Sequence, residues 1–449
     1  MRRHAIVLGL GETGLSCVPY LQGRGYHVTV CDSREKPSCA DRLEVAHPDV
    51  RLVCGSFPEA LLAEADLLVA SPGVPVKEPA IQAAMAMGIP VVGDIELFAR
   101  ACQAPVVAIT GANGKSTVTT LVGDMLQASG RRVRVAGNIG VPVLTVLAEP
   151  VPDVYVLELS SFQLETTMSL NALAATVLNI TPDHMDRYAD LTEYAHAKAR
   201  IFSGSGRMVI NREDSWVAAM ARAGREVVSF GLDRPTGHDF GLTADAGRAW
   251  VCQGRQRIMP VDAIGIPGTH NIANVLAAFA LATAVSRDTA AMIPAVTAFR
   301  GLAHRTTLVG VRDEISWIDD SKGTNVGATV AALTGMAGMA VLIAGGDGKG
   351  ADFSSLRPAV SSKARAVVLI GRDAGKLEAA LEGCCPLVRA TDLDQAVLLA
   401  RSLAQPGDAV LLSPACASFD MFRNYKHRGE VFADAVRRQI LQPVEVPHG

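Results

Sequence analysis

Short apolar runs that end in Gly, Asp or Ser alternate with stretches of helical periodicity from one end of the chain to the other. In βαβ units each strand is buried on both faces and reads as a continuous apolar run, so this alternation predicts parallel sheets in an α/β fold. Three segments separate. In 1–94, strands are expected at Ile6–Leu10, Val28–Cys31 and Leu67–Ala70, with a helix over Gly14–Gly23. A helix over Ile95–Ala101 and the turn Ala104-Pro105 mark the junction to the next segment. In 95–300, strands are expected at Val106–Ile109, Val133–Ala136, Val154–Leu159, Ala175–Ile180 and Met208–Ile210. Residues 229–259 read as a small β excursion and Asn271–Ser286 as an apolar helix. In 301–449, strands at Ile315–Ile318, Ala340–Ala344, Ala366–Ile370 and Ala409–Leu412 alternate with helices in a second doubly wound sheet.

Composition narrows the picture. A chain of 449 residues is too long for one core, so two or three domains are expected. Apolar residues make up 49% but aromatics only 5%, which suits tightly packed α/β layers better than a β-sandwich. A net charge of −3 implies no broad basic face, and nucleic acid is not an expected partner. Nine scattered cysteines, with no Cys-x-x-Cys, argue against a disulfide framework or zinc ribbon and for a reducing cytoplasm. No apolar run approaches the roughly 20 residues of a membrane span. The N-terminus reads as a first strand rather than a signal peptide.

The strongest chemical signal is Thr110-Gly111-Ala112-Asn113-Gly114-Lys115-Ser116-Thr117, between an expected strand and a helical pattern. Glycines there let backbone N–H groups point at phosphate oxygens, Lys115 reaches the terminal phosphates, and Ser116 or Thr117 holds Mg²⁺. The first glycine is Gly111, so the loop is shorter than a strict P-loop. Glu158 near a strand end and His184 in Asp183-His184-Met185-Asp186 add hard oxygen and imidazole ligands suited to Mg²⁺ or Mn²⁺. Gly9-Leu10-Gly11-Glu12-Thr13-Gly14, with Asp32 ending the next strand, matches a diphosphate cradle. NAD(P), another diphosphate such as a UDP-sugar, and a ligand-free turn all remain open readings of it. Lys198 looks like any helical lysine. Asn271 and Asn274 share a helical face and could bond a base edge, or simply cap the helix. Arg305 and Lys322 could meet phosphates, Asp320 could hold a ribose, and Lys349 in its glycine-rich loop could meet an anion. Ser418 is expected at a helix N-terminus, a good carboxylate site.

In this order, these pieces resemble the Mur ligases, ATP-dependent amide-forming enzymes of peptidoglycan synthesis. The resemblance covers essentially the whole chain. Leu157–Thr166, Asp183–Tyr188, Gly345–Lys349 and Leu412–Asp420 point to the branch that adds D-glutamate. It implies three domains: a Rossmann-like UDP-binding domain (1–94), a central P-loop ATPase-like domain with a mostly parallel sheet (95–300), and a C-terminal Rossmann-like amino-acid domain (301–449). It implies an acyl-phosphate mechanism on UDP-N-acetylmuramoyl-L-alanine and D-glutamate in a cytoplasmic enzyme, expected to be a monomer. By carry-over, Lys115, His184 and a carbamylated Lys198 are catalytic. Ser116, Glu158, His184 and Lys198 bind or support two Mg²⁺ ions. Gly111, Asn113, Gly114, Lys115, Ser116, Thr117, Asn271, Asn274, Arg305 and Asp320 hold ATP. Glu12 (through its backbone), Thr13, Asp32, Ser33, Arg34, Ser71, Gly73 and Asn138 hold the UDP substrate. Lys322, Thr324, Lys349, Ser418 and Tyr425 hold D-glutamate. Two departures stand out. Gly323 replaces a frequent alanine and is expected to loosen its turn, and Tyr425 replaces a frequent Phe. The competing readings are a ligase for another amino acid, an NAD-dependent oxidoreductase and a non-catalytic nucleotide sensor.

Overall fold

The computed structural model describes residues 3–441. The chain divides into two compact units. The second holds Thr181–Leu191, Gly265–His270 and the chain from Arg300 onward, and the first holds the remainder.

The first unit carries two sheets. One comprises β1 (His4–Leu8), β2 (His27–Asp32), β3 (Arg51–Cys54), β4 (Leu67–Ala70) and β5 (Val91–Val92), all parallel, in the order β3-β2-β1-β4-β5. Strands leave β1 in both directions, so the crevice beyond its C-terminal end is a topological switch point, where ligands of such sheets bind. β1 stops at Leu8 rather than Leu10, because Gly9 adopts φ +87° and turns the chain out of the ladder. The following helix starts at Glu12 rather than Gly14. The apolar pattern did not reveal β3, which has no fully buried residue, or β5, which is two residues long.

The other sheet has nine strands: β6 (Val106–Thr110), β7 (Val133–Gly137), β8 (Val154–Glu158), β9 (Ala174–Val177), β10 (Arg207–Asn211), β11 (Val227–Phe230), β12 (Phe240–Asp245), β13 (Arg248–Gln253) and β14 (Gln256–Pro260). Their order is β14-β13-β12-β11-β10-β9-β6-β8-β7. β6 to β11 run parallel and β12 to β14 form an antiparallel meander, the expected excursion. The apolar helix runs over Thr269–Ala282 rather than to Ser286.

The second unit carries the third sheet: β15 (Thr307–Arg312), β16 (Ile315–Asp319), β17 (Ala340–Gly345), β18 (Ala364–Ile370), β19 (Leu387–Arg389) and β20 (Ala409–Leu412), in the order β15-β16-β20-β17-β18-β19. Only β15 is antiparallel. Apolar residues fill both faces: Leu342, Leu369 and Leu411 on one, Val341, Val368 and Val410 on the other. β15 and β19 were not expected from the sequence, since both are edge strands with mixed exposure.

Candidate active site

In the first unit, the end of β6 opens into the phosphate loop, and the helix Lys115–Ala128 starts at Lys115. Gly114 caps that helix at φ +83°, a conformation that strains any residue with a side chain. It also packs closely, since a Cβ on it would lie 2.6 Å from Asn274 Oδ1. Asn274 in turn donates from Nδ2 to Asn271 Oδ1 at 3.2 Å, so these two share a helical face, as the spacing implied. Lys115 folds over its own loop, with Nζ donating to the carbonyls of Gly111 and Ala112, both at 2.9 Å. Ser116 and Thr117 are buried at the helix start. Asn179, which sequence reasoning passed over, pins the loop. Its Oδ1 accepts from Asn113 N at 2.8 Å and its Nδ2 donates to Asn113 O at 3.1 Å. β9 therefore ends at Val177 instead of Ile180: beyond it, the chain turns its polar groups to the loop.

Lys198 is 1% exposed. Its Nζ donates to Gly111 O at 2.9 Å and stands 4.6 Å from the centre of the Tyr194 ring. Two lysine ammonium groups, Lys115 and Lys198, thus converge on one carbonyl at the loop entrance. Glu158 closes β8 and pairs in register with Ile109 on β6, which brings a carboxylate beside the loop. Its Oε1 accepts from Asn138 Nδ2 at 2.7 Å. Its Oε2 is buried and has no hydrogen-bond partner among the described residues. A buried carboxylate oxygen left unpaired is costly, and a cation would satisfy it. Ser116, at the start of the helix that follows the phosphate loop, adds a hydroxyl, so the donor types the sequence offers here are hard oxygen, which suits Mg²⁺.

The eight residues expected to hold a UDP group (Glu12, Thr13, Asp32, Ser33, Arg34, Ser71, Gly73 and Asn138) all line one cavity of about 800 Å³ in the first unit. Gly14 lets the helix approach the strand, since a Cβ there would sit 1.9 Å from Gly9 O. Ser71 Oγ donates to Gly9 O at 2.8 Å. Asp32 is buried and organises the loop, accepting from Leu10 N at 2.7 Å and from Arg34 Nε at 2.8 Å. Burial alone would raise its pKa, but the Arg34 side chain and these backbone donors outweigh it and hold the carboxyl below its ordinary value. The Glu12 carboxylate turns to Arg42, which leaves the backbone of the helix N-terminus facing the cavity. Gln163 also lines the cavity. Its Oε1 accepts from Ser160 N at 3.0 Å in a capping box, and its Nε2 donates to Asp94 Oδ2 at 3.3 Å. Burial pushes the Asp94 carboxyl up to about 6.

The second unit holds the remaining candidates, including His184. Lys349 adopts φ +52° between two glycines and ion-pairs with Asp183. Asp183 also accepts from Asn325 Nδ2 at 3.1 Å, and the His184 backbone N–H donates to it at 3.0 Å. Asp320 lies just beyond β16 and accepts from Ser413 Oγ at 2.7 Å and Thr306 N at 3.1 Å. Burial pushes its carboxyl up to about 7 against the opposing influence of Ser413 and Arg305. Thr324 N donates to Lys322 O at 2.8 Å in the turn that presents both residues. Gly323 does not loosen that turn. Its N–H donates to Asp320 O at 2.8 Å and its carbonyl accepts from Ala415 N at 2.9 Å. A Cβ there would lie 2.5 Å from Ser413 Oγ, so glycine makes room for the Ser413–Asp320 bond. Ser418 is not at a helix N-terminus. Asn424 caps the next helix through His427 N, and Ser418 sits in the preceding turn, where its carbonyl accepts from Phe422 N at 2.8 Å.

Arg428 was missed by the sequence reading because its helix shows no motif around it. It is fully buried and donates to Ser321 O at 2.8 Å, Cys416 O at 3.1 Å and Ala417 O at 3.3 Å, tying the loop after β16 to the loop after β20. Burial lowers its pKa to about 10, so it stays charged at neutral pH.

Three family models match the chain in succession: Mur ligase MurD-like, N-terminal domain, over 3–93; Mur ligase middle domain over 109–282; and Mur ligase, glutamate ligase domain, over 304–416. A relative from Methylobacillus flagellatus named UDP-N-acetylmuramoylalanine–D-glutamate ligase is 56% identical over 97% of this chain and 96% of its own length. One of the same name from Pseudomonas aeruginosa is 50% identical over 96% of this chain and 97% of its own. Among solved structures, the fold is similar to a UDP-N-acetylmuramate-alanine ligase from Thermotoga maritima (TM-score 0.59, 19% identity, 98% of this chain and 100% of that one). It is equally similar to a pseudomurein peptide ligase from Methanothermus fervidus (TM-score 0.59, 18% identity, 91% and 96%). With a built phosphate loop, a carboxylate beside it and relatives matched along nearly the whole length, the chain belongs to the Mur ligase family.

Proposed function

We propose that this chain joins D-glutamate to UDP-N-acetylmuramoyl-L-alanine, with ATP converted to ADP and phosphate, in the synthesis of peptidoglycan precursor. The likeness to relatives of that name over nearly the full chain carries the substrate assignment. The chemistry proceeds in two steps. An oxygen of the L-alanyl carboxylate attacks the γ-phosphorus of ATP, the bond to the β-phosphate oxygen breaks, and an acyl phosphate forms. The D-glutamate amine then attacks the acyl carbon, loses a proton, and expels phosphate to leave the amide. A carboxylate is a poor electrophile, and phosphorylation gives it a leaving group. The protein's part is positioning and charge neutralisation.

In this reading Gly111, Asn113, Gly114, Ser116 and Thr117 cradle the phosphates, and Lys115 swings from its own loop carbonyls onto the transferred phosphoryl group. Asn271, Asn274, Arg305 and Asp320 hold the rest of the nucleotide. The 800 Å³ cavity receives the UDP substrate, and Asn138 links that cavity to Glu158. Lys322, Thr324, Lys349, Ser418 and Tyr425 hold D-glutamate. Glu158, Ser116, His184 and Lys198 hold or support two Mg²⁺ ions, which when bound supply positive charge to the phosphates. Lys198 serves as a carbamate: its burial beside Gly111, next to a second lysine, favours a neutralised or anionic group there. The three functional domains divide near residues 94 and 300, and the enzyme works as a cytoplasmic monomer. No helix among the described residues is long and apolar enough to cross a membrane.

The test is ADP release with ATP, Mg²⁺, UDP-N-acetylmuramoyl-L-alanine and D-glutamate, omitting each in turn. Release that needs all four, with L-glutamate inactive, is expected. Release driven only by another amino acid, or none at all, refutes the assignment. For the carbamate, removing CO₂ should lower the rate and adding bicarbonate restore it. An unchanged rate together with an unmodified intact mass would sink that part alone.

A further inference from the structure

The antiparallel meander of the first unit carries a second cavity, of about 970 Å³. None of its lining residues belongs to the phosphate loop or to the UDP cavity. β12 stands four strands along the sheet from β6, about 19 Å at ordinary strand spacing. Three segments line the cavity: the loop between β11 and β12, the start of β12, and the turn between β13 and β14. They are locked together. Leu242 N donates to Asp233 O at 3.0 Å, which closes the loop onto β12. Gly254 N donates to Asp239 O at 2.8 Å, which ties the turn to the loop. The two backbones touch there, since a Cβ on Gly254 would lie 2.1 Å from Gly237 O. Asp239 is itself fixed, accepting from Ser229 N at 2.6 Å.

The charge of this cavity is one-sided. Its ten lining residues include Arg234, Arg255 and Arg257 and no carboxylate, in a chain whose net charge is −3. Neighbouring arginines are neutralised: Arg212 by Asp233, Arg248 by Asp262 at 2.7 Å and Arg257 by Asp245 at 2.5 Å. Arg257 is also braced by Trp250, its guanidinium 5.7 Å from the centre of the ring. Arg234 and Arg255 differ. Both are exposed, and among the described residues neither forms an ion pair or a hydrogen bond. One comes from the loop and the other from the turn that is tied to it, so the fold brings two uncompensated guanidinium groups to one cavity. A guanidinium presents planar, paired N–H donors that match phosphate oxygens. A phosphate group carries more charge than a carboxylate and has three acceptor oxygens to share between two arginines. We propose that this cavity is a binding site for a multiply charged phosphate group, separate from the nucleotide and UDP sites, with Arg234 and Arg255 as its principal ligands. The site stands independently of the ligase reading.

The experiment uses the full chain in saturating ADP and excess Mg²⁺, so that the phosphate loop is occupied. Tripolyphosphate is titrated into wild type and into an Arg234→Gln/Arg255→Gln double variant by calorimetry. Vesicles of phosphatidylglycerol or phosphatidylcholine are co-sedimented with each. Wild type should bind tripolyphosphate or the phosphatidylglycerol vesicles, and the first result identifies a soluble phosphate while the second identifies a lipid headgroup. The double variant should bind that probe at least about tenfold more weakly, because it loses two charge-assisted contacts. Its ADP release should be unchanged, since neither residue belongs to the catalytic site. In wild type alone, the effective probe should slow amide hydrogen exchange at 234–237 and 254–257. Equal affinity in wild type and variant overturns the proposal, as does protection confined to other segments. Binding of neither probe does the same. Binding that vanishes at about 0.15 M salt also overturns it, because it would reflect a diffuse field and not a built site.

Discussion

At the residue scale, two buried carboxyls set a pH dependence. Burial raises Asp94 from an ordinary value of 3.8 to about 6 and Asp320 from 3.8 to about 7. Both hold a proton more tightly in the folded chain than in the unfolded one. Their stabilising influence is complete below the unfolded value and is lost as pH rises through the folded one. Asp94→Asn should therefore flatten the fall in stability between about pH 4 and 6, and Asp320→Asn the fall between about pH 4 and 7. Urea midpoints of each variant relative to wild type, measured across that range, check this. Parallel curves for variant and wild type would show that these carboxyls are not the groups responsible. Taking differences matters because Asp32, Glu96 and Asp373 are held below their ordinary values and act in the opposite direction.

At the scale of elements, the sites are built where a strand ends and the backbone turns sharply. Gly14 is needed because its helix lies against the Gly9 carbonyl, and Gly137 because its strand end lies against the Glu158 carbonyl, where a Cβ would come within 2.2 Å. Gly14→Ala should push the helix Glu12–Gly23 off β1, destabilise the fold by about 2–4 kcal/mol and weaken UDP-substrate binding. Thermal unfolding and the KM for that substrate would test this. A variant as stable and as tight-binding as wild type would mean that the helix yields freely.

At the scale of the whole molecule, chain order and compact unit do not coincide. The second unit recruits Thr181–Leu191, and with it Asp183, whose partner Lys349 is 166 residues further along. Both side chains are largely buried, and removing one partner of a buried pair typically costs about 3–5 kcal/mol because a charge is left behind. Asp183→Asn should speed amide hydrogen exchange across 345–350 while leaving the strands of the first unit unaffected. Exchange unchanged in that loop would show that other contacts hold it.

The sequence by itself determined the α/β class, the central strands and the phosphate loop. Each of these is local: an apolar run long enough to be buried on both faces, or glycines and a lysine at fixed spacing after such a run. Edge strands β3, β15 and β19 were illegible because exposure mixes their pattern, and Ser418 was misplaced because Asn424, six residues later, captured the helix start. Only the tertiary structure decided the rest. It showed that Lys198 is buried against the Gly111 carbonyl, that Asn179 pins the loop, that Glu158 keeps one oxygen unpaired, and that Arg428 ties two loops together. It also gathered the eight UDP-site candidates around one cavity. These facts depend on which strand ends become neighbours across the sheets. Sheet order is set by long-range packing that no window of sequence contains.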